Sequence, residues 1–169
     1  MKRIRMAVPA LLAAALVAAP AAPAAADSPA APGWSSSMTI RVGGVWIGEL
    51  PAGLGAAQSF DSEGDDGEQI STTVWESQTP EGYRVDGSIT VVRAPWLQEP
   101  QTAFEWLRDW QERPVEEADY RRITLADGRP AWLSADQVVW LVEPGVVASV
   151  RLSPDRFDVG LLPRIAASA

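Results

Sequence analysis

Residues 138–150, Val-Val-Trp-Leu-Val-Glu-Pro-Gly-Val-Val-Ala-Ser-Val, decide the fold of this chain. Two valine-rich runs flank Pro144-Gly145, a pair that fits the centre of a type II turn. An uninterrupted apolar run of this length is typical of a strand that is covered on both faces. The stretch therefore predicts an antiparallel hairpin whose first strand, residues 138–142, is central and places Trp140 in the core.

Other strands precede this hairpin. Asp127-Gly128 supplies the positive φ values of a tight turn between two short apolar segments, which extends the hairpin into a C-terminal meander. Residues 83–93 alternate apolar and polar side chains, and this period of two predicts a strand with one buried face. Residues 38–47, interrupted by Gly43-Gly44, predict one strand or a bulged pair of strands.

Two helices are predicted. Residues 102–105, Thr-Ala-Phe-Glu, match a capping box, and a helix that starts there must end before Pro114. Residues 157–168 carry apolar side chains at helical spacing and predict a second helix, which begins late or is short because Pro163 interrupts the pattern. The apolar stripe expected on the first helix is Ala103, Trp106, Leu107 and Trp110.

These elements predict an α+β fold. We expect an antiparallel sheet of about six strands, with the meander at its C-terminal end, and two helices packed mainly on one face. Because no internal repeat or second linker divides residues 38–169, we expect them to form a single domain.

The N-terminus has the parts of a secretory signal. Residues 1–5 include three basic side chains, residues 6–19 are apolar, and Ala24-Ala25-Ala26 supplies an A-x-A cleavage site. We therefore predict a signal peptide over residues 1–26 and a secreted, extracellular product, free or associated with the cell wall. The apolar stretch is too short to predict a membrane span. Residues 27–37, rich in Ser, Pro and Ala, predict a flexible arm.

The composition excludes much catalytic chemistry. The 169-residue chain has no cysteine and no histidine, and its one lysine, Lys2, lies in the predicted signal. Ser-His and Cys-His couples, Schiff bases and thiolate or imidazole metal sites are therefore excluded. A net charge of -8 disfavours binding to nucleic acid or anionic lipid. We predict a monomer that is not an enzyme, with no catalytic residue, no cofactor and no nucleic-acid partner.

The acidic residues 61–68 are the best candidates for a metal site, because Ca²⁺ prefers carboxylate oxygens. Aligned as an EF-hand loop that starts at Asp61, the stretch has Asp66 where glycine is required and Thr72 where a bidentate glutamate belongs. We therefore predict a solvated surface loop and assign no metal ligands.

Tryptophan is frequent, with eight residues in the chain. An exposed indole can stack on a sugar ring, whereas an indole among apolar neighbours is usually core. Trp34 belongs to the predicted arm and Trp96 to a loop. We expect core positions for five others: Trp46, Trp75, Trp106, Trp110 and Trp140.

Strand parity groups the remaining indole with polar side chains. Side chains two residues apart point to the same face of a strand. If the strands of the meander pair in register, one face carries a semi-exposed patch suited to an anionic or carbohydrate ligand. The alternative is that the arm or a loop covers the indole and that the arginines pair with nearby carboxylates. The four residues of this predicted ligand-binding patch are Tyr120, Arg122, Trp132 and Arg151.

The C-terminal pattern also carries a family resemblance. Residues 139–146, 149–152 and 161–166 form a strand with a tryptophan, a turn, a second strand and a closing helix. This pattern resembles a domain of unknown function from secreted and envelope proteins of Gram-positive bacteria, which also occurs on the outer side of anti-sigma-factor proteins. The architecture is similar, more distantly, to the sheet-and-helix fold of PsbP. The resemblance implies an envelope α+β domain and supplies no catalytic residues.

Two classes of function follow from these observations. The first is a secreted, non-catalytic binding or interaction module whose partner is an unknown protein or glycan of the cell envelope. The second is a carboxylate-dependent hydrolase that acts on an extracellular or cell-wall polymer. Two carboxyl groups roughly 5–10 Å apart in a cavity would favour the hydrolase, and an aromatic surface without such a pair would favour the binding module.

Overall fold

A seven-stranded antiparallel sheet is the frame of the molecule, and two further strands form a separate hairpin. The structure is a computed structural model that describes residues 37–111 and 116–169. The predicted signal peptide and all but the last residue of the predicted arm lie outside the described residues. The strands are β1 Met38–Val42, β2 Val45–Leu50, β3 Ala56–Glu63, β4 Gln69–Thr79, β5 Gly82–Arg93, β6 Arg121–Thr124, β7 Pro130–Leu133, β8 Gln137–Glu143 and β9 Val146–Leu152. The order in the seven-stranded sheet is β3-β4-β5-β9-β8-β7-β6, and β1 and β2 form the separate hairpin.

The helices are α1 Pro100–Trp110 and α2 Leu162–Ala167, with short 3-10 turns at Glu117–Asp119 and Val159–Leu161. The α+β class is confirmed, but among the described residues the main sheet has seven strands where about six were expected, and two further strands form a separate sheet. The missed strand β3, whose sequence is AAQSFDSE, lacks the β-branched side chains and the alternation that identify a strand.

The two faces of the sheet have different covers. Trp140 belongs to a cluster with the β1–β2 hairpin and α2, whereas its neighbour Val139 belongs to a cluster with α1. Successive side chains of a strand point to opposite faces, so the two helices lie on opposite sides of the sheet. The expectation that both helices pack on one face is wrong. Apolar side chains also line the face opposite Trp140, and α1 shields them from water; they are Trp132, Val139 and Val147. The central position of β8 and the burial of Trp140 are confirmed.

Helix α1 starts earlier than its sequence predicted. Pro100 occupies the first turn and the cap residue Glu99 makes no side-chain capping bond, so Thr102 lies inside the helix and the predicted capping box is wrong. Proline is tolerated at this position because the first N–H groups of a helix have no hydrogen-bond acceptor within the helix, so the N–H that proline lacks is not needed. The side chains that α1 buries are Ala103, Phe104 and Leu107.

A buried carboxylate holds the β4–β5 hairpin at a bulge in β5. The register of β5 shifts beside Trp75, and at this shift Asp86 is fully buried. Its carboxylate accepts hydrogen bonds from the Ser77 hydroxyl at 2.5 Å, from the Gly55 N–H at 2.9 Å and from Arg156. Burial alone would raise the pKa of Asp86, but these hydrogen bonds and the charge of Arg156 hold the pKa below its ordinary value.

Residues 61–68 are only partly a loop. Asp61 and Glu63 belong to the end of β3, and the turn follows them. Glu68 is buried, with 3% of its surface exposed, and its carboxylate accepts from the Asp66 N–H at 3.0 Å. Asp61 and Glu63 are solvated as predicted but belong to a strand and not to a loop. Glu68 lies outside the strand but is not solvated. No helix within residues 37–111 or 116–169 is long and apolar enough to cross a bilayer.

Candidate functional site

The predicted ligand patch has the expected register but is not exposed. Arg122 pairs with Trp132 across β6 and β7, and its guanidinium carbon lies 5.9 Å from the centre of the indole ring. Trp132, however, is only 5% exposed and Tyr120 only 9%. The expectation of a semi-exposed surface at these two aromatic residues is wrong.

Helix α1 provides the cover. Phe104 stacks on Trp132 with ring centres 4.8 Å apart and planes 5° from parallel. It also packs on Tyr120, with ring centres 5.1 Å apart and planes at 73°. The Tyr120 hydroxyl donates to Gln137 at 2.6 Å, and the Gln137 amide donates to Ser149 at 2.5 Å. A hydrogen-bonded polar pair below a stack of aromatic rings is an interior arrangement.

The two predicted arginines have different surroundings. Arg151 forms an ion pair with Asp136 at 3.0 Å, which agrees with the alternative that the arginines pair with nearby carboxylates. Arg122 remains exposed above Trp132. Because α1 would have to leave before a ligand reached the Trp132 ring, the predicted patch is not an accessible binding surface.

An exposed aromatic surface lies along the shoulder of α1. Trp106 and Trp110 are one helical turn apart, with ring centres separated by 6.0 Å and planes 11° from parallel. Trp96 approaches Trp106 from the preceding loop, also at 6.0 Å but at an angle of 67°. We call Trp96, Trp106 and Trp110 the tryptophan row. It consists of two parallel rings with a third placed across one end.

The row remains accessible although its rings touch one another. Trp96 is 38% exposed and Trp110 is 44% exposed, whereas Trp106 is half-buried between them. A group of large apolar side chains that contact one another and remain exposed to solvent commonly marks an interaction surface.

The loop that carries Trp96 is fixed by the β8–β9 turn. The Ala94 N–H donates to the Gly145 carbonyl at 3.0 Å, and the Gly145 N–H donates to the Leu97 carbonyl at 2.8 Å. Leu97 is fully buried beside this exchange. The middle of the row is fixed as well, because the Trp106 indole N–H donates to Glu68 at 3.2 Å. The row is therefore held in place before any ligand arrives.

The core assignments for tryptophan are right for Trp75 and Trp140, which are buried, and wrong for Trp46 and Trp110, which are exposed. The sequence did not indicate that Phe104 is buried: the buried face of α1 carries Ala103, Phe104 and Leu107, and Trp110 lies to one side of it. Residues 103, 104 and 107 fit helical spacing as well as the expected residues 103, 106, 107 and 110 do. Periodicity alone could not choose between the two stripes.

The acidic residues form a second feature. A cavity of about 330 Å³ opens beside the β3–β4 turn and is lined by Asp61, Ser62, Glu63, Gln69, Ile70 and Ser71. In the part of the chain that the structure describes, no three acidic side chains are grouped so that they could hold a metal ion. Asp61 instead accepts a hydrogen bond from the Ser71 hydroxyl at 2.6 Å.

Comparisons of the chain with protein-family models, with curated proteins and with solved structures find no match. The resemblance to an envelope domain therefore stays a prediction from the sequence.

Proposed function

We propose that the protein is a secreted, non-catalytic binding module of the extracellular space or cell envelope that holds a neutral glycan on the tryptophan row. The observation that carries the proposal is the exposure of Trp96 and Trp110 on either side of Trp106. An indole face matches the apolar face of a sugar ring, and adjacent indoles offer adjacent stacking positions along a chain of sugars.

The charges around the row narrow the ligand class. The buried Glu68 carboxylate lies against Trp106, and α1 itself carries Glu105 and Asp109 on exposed positions. The chain as a whole has a net charge of -8. Such a field repels phosphorylated or carboxylated polymers, so a glycan without acidic groups fits the surface better.

The place of action rests on the sequence. The basic start, the apolar segment and Ala24-Ala25-Ala26 support export. A glycan partner in the envelope is consistent with that location. The protein would act by adhesion and would leave the polymer chemically unchanged.

Chitohexaose, a neutral six-sugar oligomer, is a suitable probe. We expect it to quench tryptophan fluorescence and to release heat on titration. Trp96→Ala and Trp110→Ala should each weaken binding by about tenfold, equivalent to roughly 1.4 kcal/mol of lost stacking.

Trp46→Ala is the matched control for these variants. Trp46 is 60% exposed and lies on the β1–β2 hairpin, so its removal should leave the affinity unchanged. Failure of chitohexaose, cellohexaose and laminarin to bind the parent protein would contradict the glycan proposal. An equal loss of affinity in Trp46→Ala would show that the tryptophan row is not the binding surface.

The hydrolase alternative has weaker support. Asp61 and Glu63 line one cavity, but both side chains are exposed on β3, without the apolar enclosure that suits a general acid. The buried carboxylate of Asp86 is already satisfied by Ser77, Gly55 and Arg156. Release of reducing ends from a cell-wall polymer, abolished by Asp61→Asn, would favour the hydrolase.

A further inference from the structure

The two edges of the seven-stranded sheet differ in length and in protection. At one edge β6 spans four residues and begins with two arginines, features that discourage pairing with another strand. At the other edge β3 spans Ala56–Glu63, and all eight of its residues are exposed. The sequence of β3 contains no proline and no basic residue.

The backbone of β3 is regular enough to accept another strand. It pairs with β4 without a break in register from Ala56, opposite Glu76, to Glu63, opposite Gln69. Alternate residues of a strand direct their N–H and C=O groups to opposite sides, so about half of these groups point away from β4. Among the described residues no strand pairs with that outer side.

Gly55 fixes the start of this edge. A Cβ atom at this position would lie 2.0 Å from the Glu76 carbonyl oxygen, so only glycine lets the chain approach β4 there. The Gly55 N–H also donates to the buried Asp86 carboxylate at 2.9 Å. Strand β3 is therefore exposed to solvent and also fixed in position.

The side chains of β3 specify what could pair with it. Phe60 is 56% exposed on one face, whereas Asp61 and Glu63 lie together on the opposite face, beside the 330 Å³ cavity. A strand laid along β3 would place two of its own side chains, two residues apart, opposite the two acids. Cross-strand pairs of opposite charge are favourable and like charges are unfavourable.

We propose that the outer edge of β3 is a strand-addition site for an extended, basic segment of another protein. In this complex the backbone of the segment pairs with Ala56–Glu63, two Lys or Arg side chains lie opposite Asp61 and Glu63, and an apolar side chain lies opposite Phe60. The net charge of -8 makes a second copy of this chain a poorer partner than a basic segment. The site goes beyond the proposed glycan surface, because it uses no residue of the tryptophan row.

The probe is a capped, fluorescently labelled peptide, Lys-Thr-Lys-Val-Thr-Val-Thr-Val, which in antiparallel register sets its lysines opposite the two acids. We expect saturable binding to the full chain at 0.15 M salt, measured by fluorescence anisotropy. Hydrogen exchange should show new protection within residues 56–63 on binding. A second peptide has the same side chains, but the amides that would face β3 are N-methylated. It should bind at least tenfold more weakly, because it cannot form the backbone hydrogen bonds to the edge.

A matched pair of charge reversals tests the side-chain part of the proposal. Asp61→Lys with Glu63→Lys should weaken binding at least tenfold. Asp65→Lys with Asp66→Lys makes the same change of charge in the neighbouring turn and should weaken binding less than threefold, because these residues do not lie opposite the peptide and because exposed charges farther apart than the Debye length, about 8 Å at 0.15 M salt, are largely screened. Circular dichroism would confirm that both variants fold.

Several results would overturn the proposal. Equal affinity for the N-methylated peptide would show that the backbone edge is not used. Equal losses in the two double variants would indicate general attraction to an acidic surface. Protection of the amides of residues 56–63 that point away from β4, in the protein without peptide, would show that the edge is already covered. One further result would support the proposal: if chitohexaose still binds the Asp61→Lys, Glu63→Lys variant, the strand-addition site and the tryptophan row are independent sites.

Discussion

The strands β8 and β9 and the hairpin β3–β4 belong to the same sheet but differ in burial. In β8 the neighbours Val139 and Trp140 are both almost inaccessible, because α1 covers one face and α2 with the β1–β2 hairpin covers the other. In β3 every residue is exposed. The comparison shows that the buried core and the accessible surface are concentrated in different parts of this sheet. Aromatic side chains can bind a ligand only where neither helix nor the β1–β2 hairpin shields them from solvent.

The largest effect is expected in the covered strands. Trp140→Ala should lower the free energy of unfolding by about 3–5 kcal/mol, because it removes the largest fully buried side chain of the core. Trp46→Ala, at a position that is 60% exposed, should cost under about 1 kcal/mol. Urea denaturation monitored by circular dichroism measures both changes. Similar midpoints for the two variants would contradict the central position of β8.

A smaller effect is expected on the α1 side of the sheet. Trp132→Ala should cost about 3 kcal/mol, because the ring is buried and stacked on Phe104. Trp110→Ala removes the same type of side chain from an exposed position and should cost under about 1 kcal/mol. Thermal unfolding of the two variants provides the comparison. A loss under 1 kcal/mol for Trp132→Ala would restore the patch as an open surface.

The third effect lies where the two regions join. The lowered pKa of Asp86 means that folding favours its carboxylate, so this stabilisation is present above the ordinary pKa, near 4, and is lost as the pH falls through the folded pKa. Asp86→Asn should cost about 2 kcal/mol at pH 7, through weaker hydrogen bonds to Ser77 and Arg156. The cost should shrink as the pH falls below about 4. Urea midpoints from pH 2 to 7 test this, and a cost independent of pH would contradict it.

Much of the fold was predictable because the deciding signals are local. The apolar run 138–142 indicated a doubly covered strand, and the alternation within 83–93 indicated β5. The structure confirms strands at both places. Strand β3 was not predictable, because a polar edge strand is stabilised by pairing with β4 and by Gly55, and neither contact has a local pattern. The side of the sheet that each helix covers depends on the same kind of long-range contact.

The candidate site was harder to predict than the fold. Parity correctly placed Arg122 beside Trp132, but it could not show that Phe104 covers that indole. The tryptophan row joins a loop residue to two helix residues, so its members are not at one sequence period. Asp86 gave no signal either, since its partners Gly55 and Arg156 lie far away along the chain.

The contrast between covered and open strands is tested most directly by native-state hydrogen exchange of the full chain, resolved by residue. We predict that amides of residues 138–142 and 147–150 exchange only through global unfolding, with a free energy equal to that from urea denaturation. Within residues 56–63, alternate amides should exchange with little protection, because they point away from β4. Protection throughout β3 as strong as that of β8 would contradict the account.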